Sequence, residues 1–408
     1  MLNFINGGVC AAQGFQAAGI HVGVKTHAEW KKDVALIVSD VDCAAAAVFT
    51  KNVVKAAPIR VDLQHLADGK ARAVIANSGN ANACAPQGEE NAERMCAAAA
   101  KAIGCAPEDV VVSSTGVIGQ RLNVEAIEEG LPALYAALER SEAASDAAGH
   151  AIMTTDLVKK EAAVETTVGG KTVRMGGIAK GSGMIHPNMG TMLCFLTTDC
   201  AISPEMIKTA LLETVNVSFN RISVDGDTST NDTCCVLANG LAGNETITAK
   251  GPDYEAFLAA LQALCTELAK KMASDGEGAR HLITCTVSGA KSEASAEAVA
   301  KSVVSSTLIK AAIFGADANW GRVLCAMGYS GEDFDPDKVT VCFASAAGSV
   351  QVCAKGRGLD FDEDLAKKIL TEHDVEINIS MEEGSGTCTC WGCDITYDYI
   401  KINGDYRT

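Results

Sequence analysis

A threonine at the start of an apolar run is the first position at which this sequence could do chemistry. The segment Lys180–Asp199 reads KGSGMIHPNMGTMLCFLTTD, with Gly190 and Thr191 directly before the apolar run MLCFL. A threonine hydroxyl is a poor nucleophile unless a base lies beside it. If the Gly190–Thr191 bond is cut, the new α-amine of Thr191 becomes that base, with a reference pKa of about 7.7–8.0. The alternative interpretation is a strand that begins with Gly-Thr.

The chain itself could make this cut. The Thr191 oxygen would attack the carbonyl carbon of Gly190, and the resulting ester would then be hydrolysed. A glycine permits the strained backbone that this step needs, and Pro187 stiffens the approach. Short motifs also occur by chance. The spacing alone therefore leaves both interpretations open.

A second candidate is SSTGVIG, residues 113–119, which follows the apolar run VVV. Small residues and two glycines at a strand end expose backbone N–H groups. Such groups form oxyanion holes, which stabilise the tetrahedral intermediate of acyl transfer. A plain glycine turn is the alternative.

Charged and polar side chains offer further candidates. Lys180 could bind a carboxylate, and Glu277 in the loop ASDGEGA could accept an ammonium, but either could be a solvated surface charge. A lone histidine is more often structural, so His186 is not assigned as the base. The segments NSGNANA (77–83) and SVDGDTSTND (223–232) are dense in polar residues and are either turns or parts of a site. The second lacks the register of a calcium loop.

Seventeen cysteines without framework-like spacing predict reduced thiols in the cytosol. Cys388, Cys390 and Cys393 lie close together and could hold a soft metal. A fourth ligand at standard spacing is missing, so we expect no metal there. A non-catalytic metal-binding protein remains the hypothesis from another functional class.

The composition indicates a soluble globular protein. The 408 residues are 48% hydrophobic and 21% charged, and this length favours two domains. A net charge of −17, spread along the chain, argues against nucleic acid as a partner. The chain contains no run of about 20 apolar residues and no signal-peptide pattern. We therefore expect a cytoplasmic protein without a membrane partner.

Helical and strand patterns alternate along the chain, which predicts an α/β fold. Apolar runs at 33–38 and 73–76 predict buried strands. An Ala-rich helix is expected over 89–103, ending at Gly104. A helix over 124–139 should be kinked or split by Pro132. Ser203 and Pro204 begin another helix.

The C-terminal part has its own set of elements. A long amphipathic helix over 254–272 precedes the loop ASDGEGA. The predicted elements beyond it are a strand at 282–289, a helix near 295–313, strands near 339–343 and 349–354, and a helix near 363–371. We therefore predict a large catalytic domain over 1–280 and a smaller domain over 281–408.

Nine segments, spread over essentially the whole chain, occur in the order found in one known family. They are GFQAAGIHVGVK, DVALIVSDVDCAAAAVFTKNVVKAAP, IANSGNANAC, SSTGVIG, KGSGMIHPNMGTML, SVDGDTSTNDT, ASDGEGA, FGADANWGR and WGCDITYDYIKINGDYRT. The chain resembles the ornithine acetyltransferases, the bifunctional glutamate N-acetyltransferases of arginine biosynthesis. Nine segments are far more specific than any one of them.

The resemblance implies a fold and a maturation step. The fold is a layered α-β-β-α large domain of the N-terminal-nucleophile type, with a smaller C-terminal α/β domain. An α segment, 1–190, would end at Gly190, and a β segment would begin with the nucleophile Thr191. The family also suggests a heterotetramer of two α and two β chains.

The resemblance also implies site residues. Thr115 and Gly116 match the oxyanion-hole pair of the family. The positions that match its substrate contacts are Thr154, Lys180, Thr191, Glu277, Asn403 and Thr408. The chain departs from the family at Gly190, where alanine is more usual, at His186, where a small residue is frequent, and at Gly404, which replaces alanine.

The implied reaction is a ping-pong transfer of an acetyl group from N2-acetyl-L-ornithine to L-glutamate through acetyl-Thr191. It requires no metal or organic cofactor, since nucleophile, base and oxyanion donors are all protein groups. A bifunctional member would also accept acetyl-CoA, although the sequence offers no Gly-rich phosphate cradle. The closest alternative is an amidohydrolase or aminopeptidase that uses water as the acceptor.

Overall fold

The computed structural model describes residues 2–25, 31–186 and 192–405. These residues form a mixed α/β structure, which confirms the predicted fold class. They divide into two compact units. The first holds the described residues of Met1–Gly181, Asn188–Asn220 and Thr228–Ala269, and the second those of Ser182–Pro187, Arg221–Asp227 and Lys270–Thr408. The division into domains 1–280 and 281–408 stays a prediction.

Each of the two units is built on one β-sheet. The strands are β1 (Asn3–Ile5), β2 (Phe15–Ile20), β3 (Val34–Phe49), β4 (Lys70–Asn80), β5 (Val110–Val117), β6 (Lys160–Val168), β7 (Lys171–Lys180), β8 (Leu193–Thr198), β9 (Ile222–Ser223), β10 (Thr233–Ala238), β11 (Leu282–Ala290), β12 (Thr340–Ser345), β13 (Gly348–Ala354), β14 (Arg357–Gly358), β15 (Asp374–Ser380) and β16 (Gly386–Cys393). The sheet of the first unit has the order β1-β6-β7-β8-β10-β3-β4-β5, with β2 paired to β3. The order in the second unit is β14-β13-β12-β15-β11-β16-β9.

Helices connect and cover these strands. They are α1 (Ala57–His65), α2 (Gly88–Ile103), α3 (Val124–Ala136), α4 (Glu142–Ala151), α5 (Pro204–Val217), α6 (Pro252–Ser274), α7 (Glu293–Ser305), α8 (Thr307–Phe314), α9 (Trp320–Gly328), α10 (Glu363–Thr371) and α11 (Tyr397–Gly404). Within the described parts of the chain, no helix combines the length and the apolar character needed to cross a membrane.

Local signals set most helix ends as predicted. Helix α2 ends at Gly104, which has a φ of +85°, a left-handed conformation that glycine adopts without steric cost. Helix α5 begins after Ser203, whose side chain accepts a hydrogen bond from the N–H of Met206. Helix α3 continues through Pro132 to Ala136, so the helix is not split there.

The predicted helix near 295–313 was wrong in one respect, because the chain forms two helices there. Ser306 separates α7 from α8 and has an extended conformation, with φ −69° and ψ 113°. Its side chain accepts a hydrogen bond from the N–H of Ile309 and caps α8. The apolar pattern runs on across both helices, which is why the break was not predicted.

The first unit has a layered core. Val34 and Leu36 of β3 pack in one cluster with side chains of α2 and α3. Ile37, on the opposite face of β3, belongs to a second cluster that also contains Phe195 of β8 and Leu237 of β10. Successive side chains of a strand point to opposite faces, so β3 contributes to both layers. The arrangement agrees with the layered α/β fold predicted for the large domain.

Several strands of the first unit begin or end at the same edge. Lys180, the last residue of β7, is the Cα partner of Leu193, the first residue of β8. Thr233, the first residue of β10, is paired with Leu193 and with Phe49, the last residue of β3. The ends of β3 and β7 therefore lie beside the starts of β8 and β10. We call this the β8 edge.

The second unit buries its own core. Val299 and Val303 of α7 and Ile369 of α10 pack in one cluster with side chains of β11, β12, β13 and β15. Cys388 and Cys390 of β16 belong to the same cluster. These two thiols are therefore core side chains.

Candidate active site

Lys180 is a buried cation at the end of β7. It is 8% exposed, and its Nζ donates a hydrogen bond to Thr115 Oγ1 at 3.3 Å. Thr115 lies near the end of β5, so this bond joins two strand ends that are distant in sequence. Two residues singled out by the sequence thus lie side by side in the first unit.

Asp156 holds this region together. Its carboxylate accepts hydrogen bonds from the N–H of Gly181 at 2.8 Å and of Thr154 at 3.0 Å, and from Lys160 Nζ at 2.5 Å. Burial opposes ionisation, but the charges of Lys180 and Lys160 and these hydrogen bonds keep the pKa of Asp156 well below its ordinary value. Thr154 and the residue after Lys180 are therefore tied to one carboxylate.

Lys25 adds another cation near Lys180. Its Nζ donates to the carbonyl oxygens of Lys32 at 2.9 Å and Met153 at 2.8 Å. Burial lowers the pKa of Lys25 to about 8, against the opposing attraction of Asp33, and the charge of Lys180 contributes to the lowering. Lysines clustered in this way favour a ligand that carries a carboxylate.

Thr115 and Gly116 lie at an irregularity in the pairing of β4 with β5. Asn80 of β4 is paired with both Thr115 and Val117, and the register shifts at this point. Such a bulge leaves one backbone group without its ladder partner. Gly116 has a φ of +133°, and a Cβ there would lie 2.3 Å from the carbonyl carbon of Gly79. This backbone path therefore requires glycine.

Asn231 links three of the polar segments noted in the sequence. Its Nδ2 donates to the carbonyl oxygens of Ala81 at 2.6 Å and Ser114 at 2.7 Å. The segments 77–83, 113–119 and 223–232 thus meet around one amide. They support the strand ends in addition to forming turns.

In the second unit, Glu277 and Asn403 are brought together. Glu277 is 5% exposed, and its Oε2 accepts a hydrogen bond from Asn403 Nδ2 at 2.6 Å. The N–H of Glu277 donates to the carbonyl oxygen of Ser182 at 3.1 Å. A Cβ at Gly183 would lie 2.4 Å from the carboxyl carbon of Glu277. A side chain at position 183 would have to displace the Glu277 carboxylate.

The segment 182–186 is anchored within the second unit. Ser182 Oγ donates to the carbonyl oxygen of Asp275 at 2.6 Å. Asp225 accepts hydrogen bonds from the N–H groups of Met184 at 2.6 Å and Ile185 at 2.9 Å. His186 Nδ1 lies 3.0 Å from Ser223 Oγ. Every residue of this segment except Gly183 makes one of these hydrogen bonds.

Gly190, Thr191 and Thr408 lie outside the described residues. The chain is described again from Met192, which is 3% exposed. The carbonyl oxygen of Met192 accepts a hydrogen bond from the N–H of Thr233 at 2.8 Å. The residue that directly follows Thr191 is therefore fixed at the β8 edge.

The three neighbouring cysteines do not converge on one point. Cys388 and Cys390 face the core of the second unit, and the carbonyl oxygen of Cys393 accepts a hydrogen bond from Lys310 Nζ at 2.6 Å. Among the described residues, no three His, Cys, Asp or Glu side chains are grouped so that they could hold a metal ion.

Sequence reasoning missed the buried charges around Lys180. Asp232 directly precedes the apolar run TCCVLA, much as Thr191 precedes MLCFL, and this similarity was a signal that could have identified it. Asp156 and Lys25 carried no comparable signal, because each approaches Lys180 only through the folding of the chain.

The comparisons with a family model and with known proteins point to the same family. The ArgJ family matches residues 16–408 of the chain. The arginine biosynthesis bifunctional protein ArgJ of Symbiobacterium thermophilum is 50% identical over 408 residues, covering 100% of each chain.

Two solved structures are similar in sequence over about half of the chain. The arginine biosynthesis bifunctional protein ArgJ from Bacillus halodurans is 46% identical, with a TM-score of 0.49, and the match covers 52% of this chain and 97% of that one. The ornithine acetyltransferase from Mycobacterium tuberculosis, complexed with ornithine, is 37% identical, with a TM-score of 0.43. That match covers 47% of this chain and 100% of the other.

Proposed function

The chain belongs to the ArgJ family of acyltransferases, and from this premise we propose that it moves an acetyl group from N2-acetyl-L-ornithine to L-glutamate. The acetyl group is carried on Thr191, which becomes an N-terminus when the chain cleaves its own Gly190–Thr191 bond. The name of the relative from Symbiobacterium includes arginine biosynthesis, and the proposed exchange would serve that pathway.

One observation carries the proposal. Lys180 is buried against Thr115 and is the Cα partner of Leu193, two residues after Thr191. The described residues thus bring the candidate cation and the predicted oxyanion hole together, beside the strand that follows Thr191 in the sequence. A nucleophile, a carboxylate anchor and an oxyanion site are the three parts that acetyl transfer between amino acids needs.

The first half-reaction acetylates the enzyme. The Thr191 α-amine takes the hydroxyl proton while Oγ1 attacks the amide carbon of acetylornithine. Thr115 and Gly116 stabilise the oxyanion that forms on the carbonyl oxygen. The carbon–nitrogen bond then breaks, the ammonium returns its proton to the leaving α-amine, and ornithine departs.

The second half-reaction regenerates Thr191. The α-amine of glutamate attacks the carbon of the acetyl-Thr191 ester and loses a proton to the Thr191 α-amine. The carbon–oxygen bond breaks, Oγ1 recovers the proton, and N-acetylglutamate leaves. Both substrates carry an α-carboxylate, so one anchor at Lys180 serves each of them in turn. Protein groups supply every step.

The substrate contacts follow from the family resemblance. Their proposed positions are Thr154, Lys180, Thr191, Glu277, Asn403 and Thr408. Two features of the described residues support them. Asp156 holds Thr154 beside the Lys180 segment, and Glu277 is hydrogen-bonded to Asn403. A buried carboxylate such as Glu277 suits the side-chain ammonium of ornithine.

A second reaction is proposed from the word bifunctional in the relatives' names. The enzyme would also acetylate glutamate with acetyl-CoA and release free CoA. Incubation with acetyl-CoA and glutamate, without acetylornithine, should then release CoA thiol. No release above the rate without enzyme would restrict the chain to acetyl exchange.

The assembly and the compartment are proposed with the family. We propose a cytoplasmic heterotetramer of two α and two β chains. Its native mass would be about twice that of one uncleaved chain, and light scattering on the cleaved protein measures it.

The proposal is tested by substitution of the nucleophile. Thr191→Ala should give a folded chain that is not cleaved and does not exchange acetyl groups. The wild-type protein should run as two fragments on a denaturing gel. Exchange by Thr191→Ala at nearly the wild-type rate would remove Thr191 from the nucleophile role.

A hydrolase with the same nucleophile is the alternative. With water as acceptor, acetylornithine would be consumed equally well with and without glutamate. The transferase needs glutamate for turnover. Ornithine release measured in both mixtures therefore distinguishes the two activities.

A further inference from the structure

Asp232 is a buried carboxyl group at the β8 edge. It directly precedes β10 and is 1% exposed. The next residue, Thr233, donates its N–H to the carbonyl oxygen of Met192 at 2.8 Å. Asp232 therefore lies beside the residue that follows Thr191 in the chain.

The Asp232 carboxyl is only partly satisfied by its neighbours. The hydroxyl groups of Ser229 and Thr50 and the N–H of Met192 are neighbours that lower its pKa. In the described ranges 2–25, 31–186 and 192–405, no donor reaches its Oδ2. A buried acceptor left without a donor is unfavourable, because it has lost its hydrogen bonds to water. Buried polar atoms usually have a hydrogen-bond partner, so a donor to Oδ2 is expected.

The electrostatic setting favours a cationic partner. Burial raises the pKa of Asp232 well above its ordinary value, while the hydrogen bond from Ser229 and the charge of Lys180 oppose the rise. Among the described residues, Lys180 on β7 is the charge that acts most strongly on Asp232. A new positive charge beside the carboxyl would stabilise its ionised form.

We propose that Asp232 accepts a hydrogen bond from the α-amine of mature Thr191 and holds that amine for proton transfer. The inference rests on the proposed cleavage, because the amine exists only after the Gly190–Thr191 bond is cut. Asp232 would act through the α-amine of Thr191, so it is a positioning residue. Cleavage would supply the partner that Oδ2 lacks among the described residues.

This role has a measurable electrostatic consequence. A carboxylate beside an ammonium favours the charged form and raises the pKa of the ammonium. The α-amine must be neutral to take the Thr191 hydroxyl proton, so its pKa sets the acidic limb of the pH profile of kcat/KM. Removal of the Asp232 charge should move this limb to lower pH.

The experiment compares Asp232→Asn with wild type after cleavage of both has been verified by mass spectrometry. We expect the acidic limb to move down by about one pH unit, which is a tenfold change in the ionisation constant. Asp62→Asn is the matched control. Asp62 is also a fully buried carboxyl group of the first unit, its pKa is raised, and its Oδ2 has no donor among the described residues. Unlike Asp232, it lies beside Val112, whose N–H donates a hydrogen bond to its Oδ1. The acidic limb of the pH profile of Asp62→Asn should stay at the wild-type position.

An unmoved limb in active, cleaved Asp232→Asn would overturn the inference and leave the proposed function intact. A wild-type chain that is active without cleavage would instead overturn the proposed function. If Asp232→Asn does not fold, Asp232→Ser removes the charge with less bulk and should move the limb in the same direction.

Carboxyl ¹³C NMR provides a measurement that needs no substitution of Asp232. The pKa of the Asp232 carboxyl should be lower in mature wild-type protein than in uncleaved Thr191→Ala, because only the mature protein has the α-ammonium. Equal values would contradict the inference.

Discussion

Lys180 is a cation from which most of the solvent has been removed. At 8% exposure, its charge acts through a medium of lower effective dielectric constant than water, so a carboxylate that reaches it is bound more strongly than at a surface lysine. Asp156, two residues from Thr154, compensates the cost of burying this charge. In the proposed function, Lys180 and Asp156 would therefore form the carboxylate anchor before substrate arrives.

Substitution of the anchor should weaken substrate binding. Lys180→Met keeps the length of the side chain and removes its charge. A hydrogen bond to a charged group contributes about 1.5–3 kcal/mol, so kcat/KM for acetylornithine should fall roughly 10- to 100-fold. Steady-state kinetics measure this. The control is Lys171→Met, at the exposed start of the same strand, which should leave kcat/KM unchanged.

Substitution of the oxyanion residue should affect kcat more than KM. Thr115→Val removes the hydroxyl that accepts from Lys180 and keeps the shape of the side chain. Loss of an oxyanion-hole contribution typically lowers kcat about 10²- to 10³-fold. A rise in KM at constant kcat would instead assign Thr115 to substrate binding.

The sequence identified these residues by type and motif, but it could not identify their buried charge partners. Lys180 and Glu277 lie in recognisable segments. Asp156 and Asp232 become important only because they are buried beside Lys180, and burial depends on strand pairing between distant parts of the chain. The sequence therefore indicated Lys180 as a candidate, but it did not indicate the electrostatic environment of this residue.

At the scale of elements, the bulge between β4 and β5 shapes the predicted oxyanion hole. It breaks the regular ladder at Thr115 and Gly116, and the close approach of Gly79 leaves no room for a Cβ at Gly116. A side chain at that position would have to push two strands apart. The backbone path is thus maintained by a pair of glycines.

A substitution in the bulge should destabilise the first unit. Gly116→Ala combines a φ of +133° with a 2.3 Å clash against backbone, so we expect a loss of roughly 2–4 kcal/mol in the free energy of unfolding. Gly119→Ala is the control, because its φ of +83° is also unfavourable but its Cβ would meet open space. It should cost about 1 kcal/mol. Urea unfolding measures both, and equal losses would contradict the steric argument.

Helices with clear end signals were predictable, and an interruption without one was not. Gly104 and Ser203 marked their helix ends correctly. Ser306 interrupts the 295–313 helix although serine is tolerated inside helices, since its capping role depends on the turn that the chain makes there. Local chemistry alone does not fix such a turn.

At the scale of the whole molecule, the order of strands is the feature that the sequence could not supply. β3 pairs with β2, β4 and β10, and β10 pairs in parallel with β8. Periodicity shows that a segment is a strand but not which strand lies beside it. The meeting of the ends of β3 and β7 with the starts of β8 and β10 is a result of this topology.

The pH dependence of stability contains a contribution from one histidine. Burial, with the charges of Lys301 and Lys310, lowers the pKa of His186 to about 4. The unfolded chain takes up a proton near pH 6.5 and the folded chain only near pH 4, so this group reduces stability as the pH falls between these values. His186 is only partly buried, so solvent screening reduces this effect, and His186→Gln should gain roughly 1–2 kcal/mol relative to wild type from pH 7 to pH 4.

Urea unfolding of both proteins at several pH values measures this difference. The comparison isolates His186, because the carboxyl groups that also titrate in this range are the same in the two proteins. A constant difference between pH 7 and pH 4 would contradict a lowered pKa of His186 in the folded protein.

The central claim concerns a bond and the residue that it releases, and intact-mass spectrometry tests both together. Wild-type protein mixed with acetylornithine and quenched with acid should show two fragments, 1–190 and 191–408, with one acetyl group on the fragment that begins with Thr191. Added glutamate should remove that acetyl group. A single uncleaved chain that remains active, or turnover without an acetylated Thr191 fragment, would contradict the account.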